Sequence, residues 1–406
     1  MMSDRSLPKA PTSAPHLITL VLIAGVSAMS MNIFLPSMSS MASFFGVEYA
    51  LMQWAVSGYL ALTGLLNIII GPLSDRFGRR RVLLGSLLIF TLASLGCTFS
   101  QNVETFLVFR MIQAVVASGM VLSRAILRDM VEPDQAASMI GYVTMGMALV
   151  PMLAPMLGGV LEEQFGWQAS FVVMSVCGLL VLLLVFFDLG ETNRRQTSSF
   201  KAQFQAYPEL LRSRRFWGYS FTAGFATGAF FSFLGGAPYV GTEVFGLSPK
   251  VFGFYFGVIP FGYLIGNFIT GRFAGRMGIG WMVFWGSVIA ALGMGSVVLL
   301  FAAGFETAFI LFLGTFFVGI GNGFVIPSAT SGLLSVKPEL AGSAAGLGTA
   351  TMIGMGSLLS ALTGAMLGPG VGAMPMILMM FICCVLGIIL ARYTNNVEAV
   401  ERALNA

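Results

Sequence analysis

Twelve apolar runs, each long enough to cross a lipid bilayer, leave this chain almost no choice of fold. A helical crossing takes ~20 mostly apolar residues, because a helix satisfies its own backbone hydrogen bonds in hydrocarbon. Such runs occupy 17–38, 52–73, 82–100, 104–126, 136–160 and 167–188, and then 216–240, 251–272, 280–303, 307–334, 340–367 and 372–393. Little is left between them for a water-soluble domain. Of the 406 residues, 57% are hydrophobic and 9% charged, where soluble domains carry roughly 25% charged residues. The expected fold class is an all-α membrane protein of twelve transmembrane helices. The first run, Leu17 to Ser37, is too long for the apolar core of a secretion signal.

Basic residues set the orientation. On one side of this span pattern lie Arg5, Lys9, Arg76, Arg79, Arg80, Arg81, Arg124 and Arg128, then Arg194, Arg195, Lys201, Arg212, Arg214 and Arg215, then Arg272, Arg276, Lys337, Arg392 and Arg402. The other side has only Lys250, and Arg110 falls inside a span. Cytoplasmic loops carry such an excess, so both termini are expected in the cytoplasm of a bacterial inner (plasma) membrane protein. A miscounted span would have scrambled this alternation.

The longest polar stretch, Gly190 to Arg215, separates six spans from six. The division expected is a tail (1–16), a first half (17–189), a cytoplasmic linker (190–215), a second half (216–394) and a second tail (395–406). The halves also repeat at a constant offset of 200, pairing Phe45/Phe245, Gly46/Gly246, Asn67/Asn267, Gly71/Gly271, Arg76/Arg276 and Gly78/Gly278. Two six-span repeats are a transporter architecture, with substrate bound between them near the midplane.

Three motifs stand out. Between spans two and three runs Gly71-Pro-Leu-Ser-Asp75-Arg76-Phe-Gly78-Arg79-Arg80-Arg81, a tight turn whose carboxylate and guanidiniums can tie helix ends together. Span five holds Pro151, Pro155, Gly158 and Gly159, where the prolines remove backbone donors and bend the helix. Span four holds Arg110 and Gln113; a charge at membrane depth is expensive and usually functional.

Over essentially its whole length the chain resembles the major facilitator superfamily, and within it the Bcr/CflA-type drug:proton antiporters that export bicyclomycin and chloramphenicol. The loop from Gly71 to Arg81 is similar to the superfamily's signature, with a degraded copy at Gly271, Arg276 and Gly278 in which Gly275 replaces the acid. The run Met31-Asn32-Ile33-Phe34-Leu35-Pro36, the run from Phe233 to Val240 and the pair Arg128-Asp129 resemble Bcr/CflA sequences. The resemblance implies a conformational latch at Gly71, Asp75, Arg76, Gly78, Arg79 and Arg80 and an antiporter-motif helix at Pro151, Pro155, Gly158 and Gly159. It also implies a multidrug exporter of small, largely apolar compounds that works by alternating access and proton exchange. One departure matters: Asn32 stands where the family signature usually has an acid. Each of the seventeen acids falls in a loop, a tail or a span end, so the sequence offers no evident proton carrier at the midplane.

Asn32, Arg110 and Gln113 are the expected polar contacts of the substrate, with Tyr142, Phe225, Phe231 and Tyr239 as aromatic walls. An uncoupled facilitator or importer of a small metabolite on the same fold is the alternative. Enzyme chemistry is not expected, because an intramembrane site needs paired acids, a Ser/His pair or metal ligands inside the spans, and the one histidine is His16. Cys97, Cys177, Cys383 and Cys384 are not spaced as a zinc site, and there is no phosphate-binding glycine loop, so neither metal nor cofactor is expected. The expected partners are a small-molecule substrate, protons and the lipid bilayer, but not nucleic acid; the net charge of +4 is too scattered for that, and the chain is expected to be monomeric.

Overall fold

The computed structural model describes residues 15–130, 133–192, 208–337 and 340–405. Twelve long helices fill it: α1 (Leu17–Phe45, interrupted), α2 (Trp54–Phe77), α3 (Arg79–Thr98), α4 (Val103–Leu127), α5 (Pro133–Phe165), α6 (Gln168–Asp188), α7 (Arg214–Tyr239), α8 (Pro249–Met277), α9 (Ile279–Ala302), α10 (Ala308–Leu334), α11 (Ala341–Ala365) and α12 (Met374–Asn405). An even number of crossings brings both ends of the chain to one face, here called the terminal face; the opposite one is the far face. The sequence repeat reappears in the backbone. Gly46 and Gly246 take φ of 65° and 63°, and Gly78 and Gly278 take 95° and 86°.

Proline and glycine interrupt several helices. α1 ends its first part at Asn32, makes a short 3-10 turn at Leu35–Ser37 around Pro36, and resumes at Met38. α8 breaks at Gly257, and α7 passes through Pro238 into a π turn at Val240–Val244. Such breaks persist in a membrane because neighbouring protein shields the freed backbone groups from lipid. Each half also buries an aromatic cluster near the far face. Phe34, Phe45, Phe106, Trp167 and Phe171 form it in the first half, and Phe233, Phe252, Phe256 and Phe312 in the second.

The last helix does not stop at the membrane. Residues 395–405, read from sequence as a tail, continue α12 for about three more turns. Glu398 accepts hydrogen bonds from Arg215 at 3.0 Å and from the Tyr219 hydroxyl at 3.0 Å, and Glu401 lies 3.5 Å from Arg215. These contacts hold the end of α12 on the start of α7.

The halves meet on one side of the molecule. Ser39 bonds to Thr242 at 2.8 Å, Tyr49 donates to the Gly235 carbonyl at 2.9 Å, and the Lys250 amide donates to Glu163 at 3.2 Å. Deeper in, Gln53 donates to Ser360 Oγ at 3.0 Å, and Ser357 donates to the Ser57 carbonyl at 2.7 Å. These bonds join the far-face parts of the helices. Farther along, α2 and α11 still touch where Gly64 meets Ile353, while a Cβ built on Gly71 would meet no atom within 4 Å. The molecule is thus shut at the far face. The Ser39–Thr242 contact gives a direct check. In a Ser39→Cys/Thr242→Cys variant, mild oxidation should form a cross-link that keeps the halves together on a non-reducing gel after cleavage of the central linker; each single variant should give two separate fragments.

Candidate translocation site

The helix break in α1 leaves a polar side chain buried. Asn32 is 2% exposed; its amide nitrogen donates to the Ala28 carbonyl at 2.8 Å, and its Oδ1 has no donor. A carbonyl oxygen cut off from water without a partner is costly, so such groups are rare. Ser30 lies two residues earlier and therefore projects to the opposite side of the helix. Ser30 faces the interior of the first half, where it meets Arg110.

Arg110 is 0% exposed and ties four helices together. Its Nε donates to the Ala55 carbonyl of α2 at 3.0 Å, and its terminal nitrogens donate to the Ser30 carbonyl at 2.9 Å, to Ser30 Oγ at 3.3 Å and to Gln113 Oε1 at 2.8 Å. Gln113 passes the network to Ser94 of α3 at 2.7 Å, and the Tyr59 hydroxyl reaches Ser30 Oγ at 3.3 Å. The guanidinium also sits over the Phe34 ring at 4.3 Å and the Tyr59 ring at 4.0 Å. Among the described residues no carboxylate takes part. The cation is held by carbonyl dipoles and two ring faces, each cation–π contact worth ~2 kcal/mol when desolvated. At the matching place in α10, eight residues past the capping residue in both helices, stands Thr315, which only back-bonds to Phe312.

The glycines of α5 let backbones touch. A side chain at Gly158 would overlap the Ile33 carbonyl of α1, and one at Gly159 would overlap the Pro249 carbonyl of α8. From the other side, a side chain at Gly253 of α8 would overlap the Pro155 carbonyl of α5. α5 therefore presents a nearly smooth face to the α1 break and to α8, and this contact closes the far face. Across the molecule, α2 and α11 close in the same manner, with Gly364 admitting the Gln53 side chain.

The loop after α2 is strapped within its own half. Asp75 pairs with Arg79 at 3.0 Å, and Arg79 also donates to Ser74 Oγ at 3.1 Å. Arg80 donates to the Phe186 carbonyl at 2.7 Å and lies over that ring, while Arg76 lies over Phe77. Glu191, just past α6, caps α3 from outside: its carboxylate accepts from the Arg79 amide at 2.8 Å and the Arg80 amide at 3.3 Å. A carboxylate at a helix N-terminus is favoured by the dipole and by the free first-turn amides. Gly78 is required on two counts, its φ of 95° and a Cβ that would overlap the Glu191 carboxylate. A Cβ built on Gly71 would meet nothing within 4 Å, so its small size is unused in this conformation.

The residues expected to bind substrate lie in several places. Arg110 and Gln113 are within the first half, spent on internal bonds. Asn32 is at the break in α1. Phe225 is partly buried, and Phe231 packs on α11 at Gly356. Tyr239 lies with Tyr49, their centroids 5.0 Å apart, beside a cavity of about 710 Å³ at the far face that Glu48 and Glu243 also line. The side chain of Tyr142 lies outside the described residues. Sequence reading missed Ser30, Tyr59, Ser94, Gln53 and the capping role of Glu191; polar residues of this kind carry no motif, and only their meeting in space marks them.

Two substitutions test these roles. Arg110→Lys loses the fork and should destabilise the purified protein by roughly 2 kcal/mol in denaturant titration; a native midpoint with transport abolished would instead make Arg110 a substrate ligand. Glu191→Ala should cost about 1 kcal/mol as a lost cap, and Gly78→Ala more, because it adds backbone strain. Equal stability of Gly78→Ala and the native chain would contradict the capped-turn geometry.

The comparisons with known proteins agree with this architecture. Residues 20–361 match the family model of the Major Facilitator Superfamily. The chain is 32% identical over 379 residues to the MFS-type transporter YdgK of Bacillus subtilis, covering 91% of this chain and 92% of that one. It is 27% identical to the bicyclomycin resistance protein homolog of Haemophilus influenzae, covering 92% and 94%, and 29% identical to multidrug resistance protein D of Escherichia coli, covering 85% and 87%. Among solved structures, an inward-facing, unoccupied bacterial homolog of the human lysosomal transporter Spinster superposes with a TM-score of 0.73 at 18% identity, over 93% of this chain and 95% of that one. The D-xylose-proton symporter also gives 0.73, at 16% identity over 93% and 96%. The twelve helices in two repeated halves, the strapped loop after α2 and the family match together make this chain a member of the Major Facilitator Superfamily, a multi-pass membrane transporter.

Proposed function

We propose that the protein exports small, largely apolar drugs or metabolites across the bacterial inner membrane by alternating access. The observation that carries this reading is the one-sided closure. Glycine-lined helix faces meet at the far face, and the hydrogen bonds between the halves gather there. With the basic loops in the cytoplasm, the terminal face is cytoplasmic and this conformation receives substrate from inside the cell. In the reverse conformation α5 and α8 part, and the ends of α2 and α11 approach. Gly71, idle here, would then give room for that approach, and the Asp75–Arg79 strap would hold it.

The substrate class follows from the named relatives and from the surroundings of the α1 break. Asn32 supplies one unfilled acceptor amid apolar and aromatic side chains, which suits a mostly apolar compound with a hydrogen-bond donor. Phe225 and Phe231 on α7 are the proposed walls. Two relatives are named for resistance, to bicyclomycin and to multiple drugs, and this supports export over import.

Proton exchange is the proposed driving force, and a specific observation favours a second reading. Among the residues whose side chains are described, the carboxylates lie at helix ends or in loops, and the α1 break carries Asn32, which does not titrate. An uncoupled facilitator on the same fold would have this arrangement. Chloramphenicol uptake by everted vesicles, with and without an imposed proton gradient, separates the two. Gradient-driven uptake by the native chain is expected and places coupling at a residue other than position 32. Uptake only down the drug's own gradient, with coupling gained in Asn32→Asp, would establish the facilitator; no uptake under either condition would remove chloramphenicol as a substrate.

A further inference from the structure

A groove of about 340 Å³ lies on the outside of the second half near the terminal face, lined by Trp281, Phe284, Trp285, Arg392, Asn395 and Asn396. It forms where the start of α9 meets the end of α12. Asn395 fixes the two walls by donating to the Gly280 carbonyl at 3.0 Å, and Gly280 must be small because a side chain there would press on that amide. Trp281 and Trp285 occupy the first two turns of α9, are 41% and 44% exposed, and lie with their centroids 6.1 Å apart.

The chemistry of the lining selects an occupant. Tryptophan rings on an outer helix surface at the end of a span sit at the level of lipid headgroups. Arg392 is exposed and has no carboxylate partner among the described residues, because the nearby acids Glu398 and Glu401 are engaged with Arg215. The last turns of α8 add Arg272 and Arg276 on the same face, and Gly275 takes the place of the balancing acid found at Asp75. The first amides of α9 point the positive end of the helix dipole this way. The groove thus offers a cation, free amides and an aromatic floor for acyl chains.

We propose that this groove is a binding site for an anionic phospholipid of the leaflet at the terminal face. The headgroup phosphate pairs with Arg392 and the Asn396 amide, and its upper acyl chains lie along Trp281 and Trp285. The site is separate from the cavity between the halves, so it holds lipid as a structural ligand of the α9–α12 pair.

Native mass spectrometry of the full chain in detergent micelles supplied with dioleoylphosphatidylglycerol or dioleoylphosphatidylcholine tests this directly. The native chain should retain the anionic lipid about fivefold more than the zwitterionic one, the worth of one basic residue at a membrane surface. Arg392→Gln should abolish that preference, and Trp281→Leu/Trp285→Leu should weaken retention of both lipids. Thermal unfolding read in parallel should show stabilisation by phosphatidylglycerol for the native chain but not for Arg392→Gln. An unchanged preference in Arg392→Gln would overturn the proposal. So would an equal stabilisation by inorganic phosphate alone, which would make the groove a plain anion site.

Discussion

A guanidinium buried in the membrane interior, with no carboxylate partner among the described residues, organises α1 to α4. A lone charge in a low-dielectric interior costs several kcal/mol unless dipoles surround it. Arg110 meets that demand with two backbone carbonyls, a serine hydroxyl, a glutamine oxygen and two aromatic faces, drawn from α1, α2 and α4. Each partner is held in turn, Gln113 by Ser94 and Ser30 by Tyr59. None of α1 to α4 can shift singly without stranding the charge or a member of its network. Alternating access requires helices that move together.

The halves need surfaces that can meet and part. Apolar side chains gain little by packing against one another in lipid, so close helix contact relies on small residues and backbone approach. The carbonyls of Pro155 and Pro249 sit against Gly253 and Gly159 across the seam, and a single added methyl group would hold the helices apart. Such an interface is tight in one position yet lacks the interlocked side chains that would make it permanent. The hydrogen bonds beside it are few and use neutral groups, apart from Glu163.

Both halves descend from one pattern but have diverged in charge. The turn glycines Gly78 and Gly278 keep nearly the same backbone, while the acid of the first loop is Gly275 in the second and the arginine of α4 becomes Thr315 in α10. The first half carries the buried guanidinium and the Asp75–Arg79 strap. The second half relies on aromatic packing and on the ion pairs that hold the end of α12 to Arg215 at the start of α7.

The membrane class, the number of crossings and the two-half repeat were legible in the residues themselves, because hydrocarbon thickness imposes a length on each apolar run and the loops record their charge. The Gly71–Arg81 loop and the α5 prolines and glycines were legible as motifs, because backbone conformation and helix bending depend on residues adjacent in sequence. Their partners were not. Glu191 lies more than a hundred residues from the amides it caps, and Ser30, Ala55 and Tyr59 reach Arg110 from two other helices. An arginine and glutamine at membrane depth suggested a polar spot facing a substrate; the packing turns both inward and leaves Asn32 pointing away from them. Sequence therefore determined which groups had to be satisfied in the membrane. Tertiary structure alone decided which groups satisfy them, because in lipid every polar side chain takes the nearest partner in space, and nearness is set by how the helices pack.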